Sequence, residues 1–394
     1  MGERFQVLVL NQVSANGLKR LPAERYTVGK DVATPDAVLL RSADLHSAEI
    51  ARSVVAIGRA GAGTNNIPVK VMSERGVPVF NTPGANANAV KELVLAGMLM
   101  AARNLAPALR FVAGLDPQMP DMDKVVEDGK KAFAGYELAG QTLGIVGLGK
   151  IGCLVADAAI KLGMNVLGYD PDITVDAAWS LPAQVKKAAS VADVLKNSHF
   201  ITLHVPLVAA TRDLVNADNI GQMRTGSVLL NFSREGVVNE AAAIGALDRG
   251  HLGWYVCDFP AATLNRHARV IALPHLGAST REAEENCAVM VVEQVRDFLE
   301  HGNVANAVNF PTVSMARESA HRVAIANANV PNMLGQISTA MARAGLNIHN
   351  MVNKSRGDMA YTLVDVDSPV EAAALADIAG IEGVLSVRYL PLIG

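Results

Sequence analysis

The sequence predicts an α/β protein of several domains, with doubly wound parallel sheets followed by a smaller β-α-β-β-α-β module. Three observations predict this. Short apolar runs alternate with helical patterns from Phe5 to Leu273; a glycine-punctuated turn, Gly147-Leu148-Gly149-Lys150-Ile151-Gly152, joins a strand to a helix; and the pattern restarts after residue 312 in a new order. At 394 residues the chain exceeds one ordinary domain, and half of it is hydrophobic with few aromatics, which suits an Ala/Val/Leu-rich core.

In the first stretch Phe5 to Leu10, Ala37 to Leu40, Ser53 to Ile57 and Val77 to Phe80 read as strands, with helices at Ser47 to Arg52 and Val69 to Arg75. Such alternation gives a parallel sheet whose ligands sit at the strand ends. Two arginines follow strands there, Arg41 in LLRSAD and Arg59 in IGRAGAG. A guanidinium beside glycine-rich backbone can hold a carboxylate or phosphate, and the alternative reading of both is ordinary surface arginine. The polar loop Asn81 to Asn88 precedes an apolar helix, Ala89 to Asn104, and reads as a hinge or ligand loop. Residues 113 to 135 read as irregular surface chain.

Around the glycine turn, Thr142 to Val146 is a strand and the helix runs on to Leu162. Gly147 permits the tight turn, Gly149 lets backbone approach a pyrophosphate, and Gly152 lets helix and strand pack closely. Free N–H groups near Lys150 and Ile151 face the phosphates at the positive end of the helix. The next strand, Met164 to Tyr169, ends in Asp170, 18 residues beyond Gly152. There a carboxylate accepts from both ribose hydroxyls and repels a 2′-phosphate, which points to NAD rather than NADP.

Further strands follow at His199 to Val205, Ser227 to Phe232, Trp254 to Phe259 and Val270 to Leu273. His204 reads as a packed histidine. Arg234, in NFSREG, falls at the carboxyl edge of the sheet, where it can polarise a carbonyl and grip a carboxylate. Asp258 lies near the end of the third of these strands. Pro274 before it and Gly277 after it place His275 in an irregular loop, where imidazole can exchange a proton with a hydroxyl near neutral pH. A helix from Arg281 to about Glu300 and a linker at Asn309 to Thr312 lead to the last module. It reads strand Arg322 to Ala326, helix Met333 to Arg343, strands Ile348 to Asn353 and Ala360 to Val366, helix Pro369 to Ile378, and strand Val384 to Tyr389.

The formal net charge of −3 and a pI near 6.3 imply neither a nucleic-acid partner nor an anionic membrane surface. Cys153, Cys257 and Cys287 lack metal or disulfide spacing and fit a reducing compartment, so no metal is expected. The chain enters its first strand with no apolar signal region ahead of it. Met1-Gly2 begins a myristoylation pattern, but Gln6 stands where Ser or Thr is needed. The longest uncharged apolar stretch, Leu93 to Ala102, is too short to span a bilayer, and the expected location is cytoplasmic.

Taken together, IGRAGAGTNNI, FNTPGANANAVKEL, GQTLGIVGLGKIG with YDP, HVPL, NFSREG, LPHLGAST and the last module resemble the D-2-hydroxyacid dehydrogenases. The likeness is to their short, phosphoglycerate-oxidising branch with a C-terminal ACT domain. It implies a flavodoxin-like substrate-binding domain, residues 1–87 and 278–310, a Rossmann NAD-binding domain, 88–277, and a ferredoxin-like ACT regulatory domain, 318–394. The implied activity is NAD-dependent oxidation of D-3-phosphoglycerate to 3-phosphohydroxypyruvate in serine biosynthesis. Arg234 would bind and polarise the substrate, and His275 would act as acid and base. Arg41, Arg59, Gly61, Ala62 and Asn86 would bind substrate, and closure of the two domains would exclude water. Cofactor contacts are implied at Gly147, Gly149, Lys150, Ile151, Gly152, Asp170, His204, Val205, Pro206, Phe232, Ser233, Arg234, Asp258, His275 and Gly277. A homodimer or homotetramer is implied as well.

The chain departs from the resemblance at one place that matters. The family's glutamate, which pairs with the histidine, is replaced by alanine in CDFPAAT, leaving Asp258 as the nearest carboxylate. It either binds the carboxamide or serves His275 as the missing acid. In the last module Asn327, Asn329 and Asn347 fall where the family binds an L-serine effector, although Asn327 and Asn332 depart from the pattern; an ACT domain used only for subunit contact is the alternative. Oxidation of another D-2-hydroxy acid, and a non-catalytic sensor of NAD or amino acids, are the other functional readings.

Overall fold

A computed structural model describes residues 4–392; Met1 and Gly2 lie outside the described residues. The chain forms two compact units, Met1–Asn86 with Arg281–Gly394, and Ala87–Thr280.

The first unit opens with β1 (Phe5–Leu10), α1 (Ala15–Leu18), β2 (Tyr26–Gly29), β3 (Ala37–Leu40), β4 (Ala56–Arg59), α2 (Val69–Glu74) and β5 (Val79–Phe80). These strands make one parallel sheet in the order β2-β1-β3-β4-β5, that of a flavodoxin-like sheet. Every residue of β3 is buried, as expected of a parallel strand covered on both faces. The order reverses between β1 and β3, so the loops after them, at Asn11 and Arg41, flank a crevice.

The second unit holds α3 (Ala87–Ala102), α4 (Leu105–Ala113), α5 (Met122–Gly129), β6 (Thr142–Val146), α6 (Lys150–Lys161), β7 (Asn165–Tyr169), α7 (Val175–Ser180) and β8 (Lys186–Lys187). It continues through α8 (Val191–Asn197), β9 (Phe200–Leu203), β10 (Ser227–Asn231), α9 (Glu240–Asp248), β11 (Leu252–Cys257) and β12 (Val270–Ala272). Its seven strands are parallel in the order β12-β11-β10-β9-β6-β7-β8, the doubly wound arrangement of dinucleotide-binding sheets. Here the reversal falls between β6 and β9, beside the glycine turn and His204.

The first unit then resumes with α10 (Arg281–His301), β13 (His321–Ala328), α11 (Met333–Arg343), β14 (Ile348–Arg356), β15 (Met359–Val366), α12 (Ala372–Ala379) and β16 (Val384–Pro391). α10 lies on the first sheet so closely that a side chain at Gly58 of β4 would strike Val291, Val295 and Leu39. The last four strands form an antiparallel sheet in the order β14-β15-β13-β16, with the β-α-β-β-α-β connectivity of the ferredoxin-like motif.

Arginines from the C-terminal segment satisfy the open end of α10. A helix leaves its last four carbonyls without internal partners. Here Arg388 donates to Phe298 O (3.2 Å) and Leu299 O (3.1 Å), Arg317 to Glu300 O (3.3 Å) and Arg322 to His301 O (3.0 Å). Arg388 also lies over the Phe298 ring, 4.6 Å from its centre. Arg322 is fully buried and forks onto Asp365 at 2.6 and 2.9 Å.

Three expectations are corrected. The strand read at Ser53 to Ile57 is β4 at Ala56–Arg59, since Ser53 lies in a turn whose hydroxyl donates to Pro35 O (2.8 Å), and Arg59 ends the strand rather than following it. Ser47 to Arg52 forms bends rather than a helix. Arg75 donates to the carbonyls of Ile50 (3.1 Å) and Ala51 (2.7 Å), which holds these backbone acceptors outside any helical ladder. The segment 113 to 135 is not irregular throughout, since it contains α5 and a 3₁₀ turn at Lys130–Phe133. Phe111 and Phe133 pair there with ring centres 5.3 Å apart, and Gly129 leaves room for the Phe111 ring. Among the described residues no single helix is long and apolar enough to cross a membrane.

Candidate active site

The glycine turn divides its work between protein and ligand. Gly147 has φ 93°, and a Cβ there would meet the His204 carbonyl oxygen at 2.4 Å. A Cβ on Gly152 would meet the Gly147 carbonyl oxygen at 2.1 Å, so these two glycines are required by the fold. A Cβ on Gly149 would meet nothing within 4 Å. The empty space in front of Gly149, at the N-cap of α6, is what a pyrophosphate needs, and the N–H groups of Lys150 and Ile151 begin the helix there.

Asp170 follows β7 and accepts from Leu148 N (2.8 Å) and Asp172 N (3.0 Å), one bond to each oxygen. The carboxylate is thereby fixed at the mouth of the turn, and each oxygen keeps a lone pair for a ribose hydroxyl. These residues fit NAD.

His204, across the crevice, shares a hydrogen bond of 3.0 Å with Thr202 Oγ1 through Nε2, while its buried Nδ1 has no partner among the described residues. Burial pushes its imidazole down to about 4. Val205 is half-buried and touches the space over Gly147; Pro206 is exposed, and its carbonyl accepts from Thr211 Oγ1. Phe232 is buried with its ring against Gly97 of α3, so its side chain is core and only its backbone can face a cofactor.

The loops after β10, β11 and β12 lie at the same carboxyl edge. Asn231 folds the first: its Oδ1 accepts from Ser233 N (3.2 Å) and Ser233 Oγ (2.9 Å), and its Nδ2 donates to Arg234 O (3.0 Å). Buried Ser233 thus anchors exposed Arg234, whose Nη1 donates to Ser233 O at 2.7 Å.

Asp258 is buried, and its two oxygens accept from Leu276 N and Gly277 N, each at 2.7 Å. Its own carbonyl accepts from His275 N at 3.1 Å. Burial raises the carboxyl group above the ordinary range, and the two N–H bonds and His275 pull it back. His275 is exposed, holds a left-handed backbone with φ 56°, and meets the Phe259 ring edge-on at 5.1 Å. Asp258 therefore grips the loop through the backbone N–H groups of His275 and of the two residues after it, and no hydrogen bond joins its carboxylate to the imidazole. The exposed Ala262 offers no acid; the adjacent Thr263 donates to Glu240 at 2.9 Å.

In the first unit Arg41 stands at the β1/β3 reversal. Its N–H donates to Asn11 Oδ1 (3.1 Å), and its guanidinium pairs with Glu284 of α10 at 2.8 Å. A cavity of about 210 Å³ is lined there by Gln12, Ser14, Arg41, Ala60 and Glu284. The Arg59 guanidinium folds over Gly61, where a Cβ would meet Nη1 at 2.3 Å. The Ala62 carbonyl accepts from Asn81 (2.6 Å), and Asn86 ends the turn ahead of α3. In the last module Asn327 is buried, with Nδ2 on Ala328 O (2.7 Å) and Oδ1 unpartnered among the described residues. Asn329 donates to Gly357 O (3.0 Å), and Asn347 is exposed.

Sequence reading passed over Asn231, Phe259 and Asn11 as individual functional residues. Asn231 two residues before Ser233 is a local Asx pattern that could have been found; Asn11 and Phe259 act through distant contacts.

A doubly wound sheet with this glycine turn and fixed carboxylate defines a dinucleotide-binding protein. The family described as D-isomer specific 2-hydroxyacid dehydrogenase, NAD binding domain, matches residues 95–277. The D-3-phosphoglycerate dehydrogenase of Haemophilus influenzae is 30% identical over 357 residues, 87% of this chain and 82% of that one. The chain belongs to the D-isomer specific 2-hydroxyacid dehydrogenase family and carries its NAD-binding domain. The D-3-phosphoglycerate dehydrogenase of Methanocaldococcus jannaschii is 36% identical over 274 residues, 67% of this chain; the match spans about half, 49%, of that relative's length. Among solved structures, NAD+-bound 3-phosphoglycerate dehydrogenase of Entamoeba histolytica superposes with a TM-score of 0.60 at 25% identity, over 78% of this chain and 99% of that one.

Proposed function

We propose that the chain is an NAD-dependent dehydrogenase that oxidises D-3-phosphoglycerate to 3-phosphohydroxypyruvate, the first committed step of serine synthesis. The observation that carries this reading is the edge of the seven-stranded sheet, where exposed Arg234 and His275 stand on loops locked from beneath by Asn231 and Asp258.

NAD would be held by Gly149, Lys150, Ile151 and Asp170, and when bound it supplies the hydride acceptor. His275 takes the proton of the 2-hydroxyl group as a general base. Arg234 neutralises the charge on that oxygen and the neighbouring carboxylate. We assign Arg41, Arg59, Gly61, Ala62 and Asn86 to the substrate's anionic groups, and Asp258 to the cofactor carboxamide and to the seating of His275.

The same reading divides the chain into a substrate-binding domain (1–87 and 278–310), the nucleotide domain (88–277) and an ACT domain (318–394). Asn327, Asn329 and Asn347 would take L-serine. A homodimer or homotetramer is proposed from α4, which buries no residue and leaves Leu109 67% and Val112 58% exposed. A cytoplasmic location accords with three free, buried cysteines whose thiols burial pushes up.

The test follows NADH absorbance with 3-phosphohydroxypyruvate. Phosphate-dependent oxidation of NADH is expected, and it should vanish in His275→Ala. Equal rates with hydroxypyruvate would favour another 2-hydroxy acid. NADH binding without turnover on either would favour a sensor.

A further inference from the structure

A cavity of about 650 Å³ lies within the first unit, where the start of β1, the end of α10 and strand β16 meet. Its walls carry Arg4, Asp36, Arg388 and Tyr389 beside the apolar Val55 and Leu299. Glu300 also reaches it, but that carboxylate is engaged by Tyr26 Oη (2.7 Å) and by Arg25 (3.4 Å) and Arg296 (3.6 Å).

Three charges remain open to a ligand. Arg388 spends two of its N–H groups on the Phe298 and Leu299 carbonyls, and a guanidinium carries five. Asp36 accepts from Gln6 N (2.7 Å) through Oδ2, which leaves Oδ1. Arg4 is exposed and its side chain has no ion pair among the described residues. Arg388 is half-buried; burial draws it below the ordinary guanidinium range, while Tyr361 and then Asp36 oppose that shift by charge. Asp36 and Arg388 line the same cavity, and no ion pair joins them among the described residues. Opposite charges that share a cavity without meeting are complementary to a molecule that bears both signs.

We propose that this cavity binds a small acidic α-amino acid, with its two carboxylates on Arg388 and Arg4 and its ammonium on Asp36. Two cations and one anion match an acidic amino acid charge for charge. The site is independent of the catalytic reading and distinct from the Asn327, Asn329 and Asn347 loops.

The test is calorimetric titration of the full-length protein with L-aspartate, L-serine, glycine and succinate, the last being an anion without an ammonium group. L-aspartate is expected to bind most tightly. Asp36→Asn should weaken it about 10-fold, the loss of one charge-assisted hydrogen bond, and leave succinate unaffected. Arg4→Gln, at an exposed position that the fold does not use, should weaken both, and Asn329→Ala should weaken neither. Thermal unfolding of each variant checks that the fold is kept; if Asp36→Asn unfolds, Arg4→Gln decides alone. The proposal is overturned if none of the four probes binds, or if binding survives Arg4→Gln, or if it is lost in Asn329→Ala.

Discussion

The two doubly wound sheets each open a crevice where their strand order reverses, and they furnish it in opposite ways. Between β6 and β9 the surface is backbone: three glycines, the first N–H groups of α6 and one fixed carboxylate. Between β1 and β3 it is side chain: Arg41 held by Glu284, with Asn11 beneath it. Backbone donors cannot be exchanged by mutation and suit a cofactor that every turnover requires. Side-chain donors can be retuned one residue at a time, which suits the group that distinguishes one hydroxy acid from another.

The largest effect expected lies in chemistry rather than binding. His275→Ala should lower kcat about 1,000-fold and leave the NADH Kd unchanged, as read by stopped-flow rates beside fluorescence titration. A comparable loss of NADH affinity would mean that the loop, and not the imidazole, had been removed.

Next comes the contrast within the glycine turn. Gly149→Ala should weaken NADH about 10-fold or more with an unchanged melting temperature, because its Cβ would meet no protein atom within 4 Å and would stand in the space proposed for the pyrophosphate. Gly152→Ala should lower the melting temperature as well, because its Cβ strikes Gly147. Equal melting curves for the two would erase the division between fold and ligand.

In the other crevice Arg41→Lys should raise KM for the hydroxy acid about 10-fold with little change in kcat, since the charge remains and the fork is lost. A fall in kcat alone would move Arg41 from binding to chemistry.

The smallest effect is on stability in acid. His204 is depressed from its usual value of 6.5 to about 4. Its contribution is complete above pH 6.5 and is lost as pH falls toward 4, because the unfolded chain binds the proton first. The loss is at most about 3 kcal/mol. His204→Gln should flatten that limb of the denaturation profile; an unchanged slope would place the charge elsewhere.

Periodicity made most of the fold legible. Buried parallel strands read as apolar runs, and α11 was bounded by its pattern at Met333 and Arg343, as observed. What stayed hidden depended on distant partners. The bend at Ser47 to Arg52 is held by Arg75, and α5 ends at Gly129 against the ring of Phe111, a contact that its charged sequence does not advertise. At the candidate site the residue types and their loops could be read directly. The clasp of Asp258 on Leu276 and Gly277 could not, because it joins backbone 18 and 19 positions away.

The arginine-sealed end of α10 has a practical consequence. Cutting the chain after the linker near residue 312 would strip Arg317, Arg322 and Arg388 from four carbonyls and uncover the face of Phe298. A truncated enzyme would therefore report the damage to that helix together with the absence of the final module. Point changes on the module's surface are the cleaner way to ask what it governs.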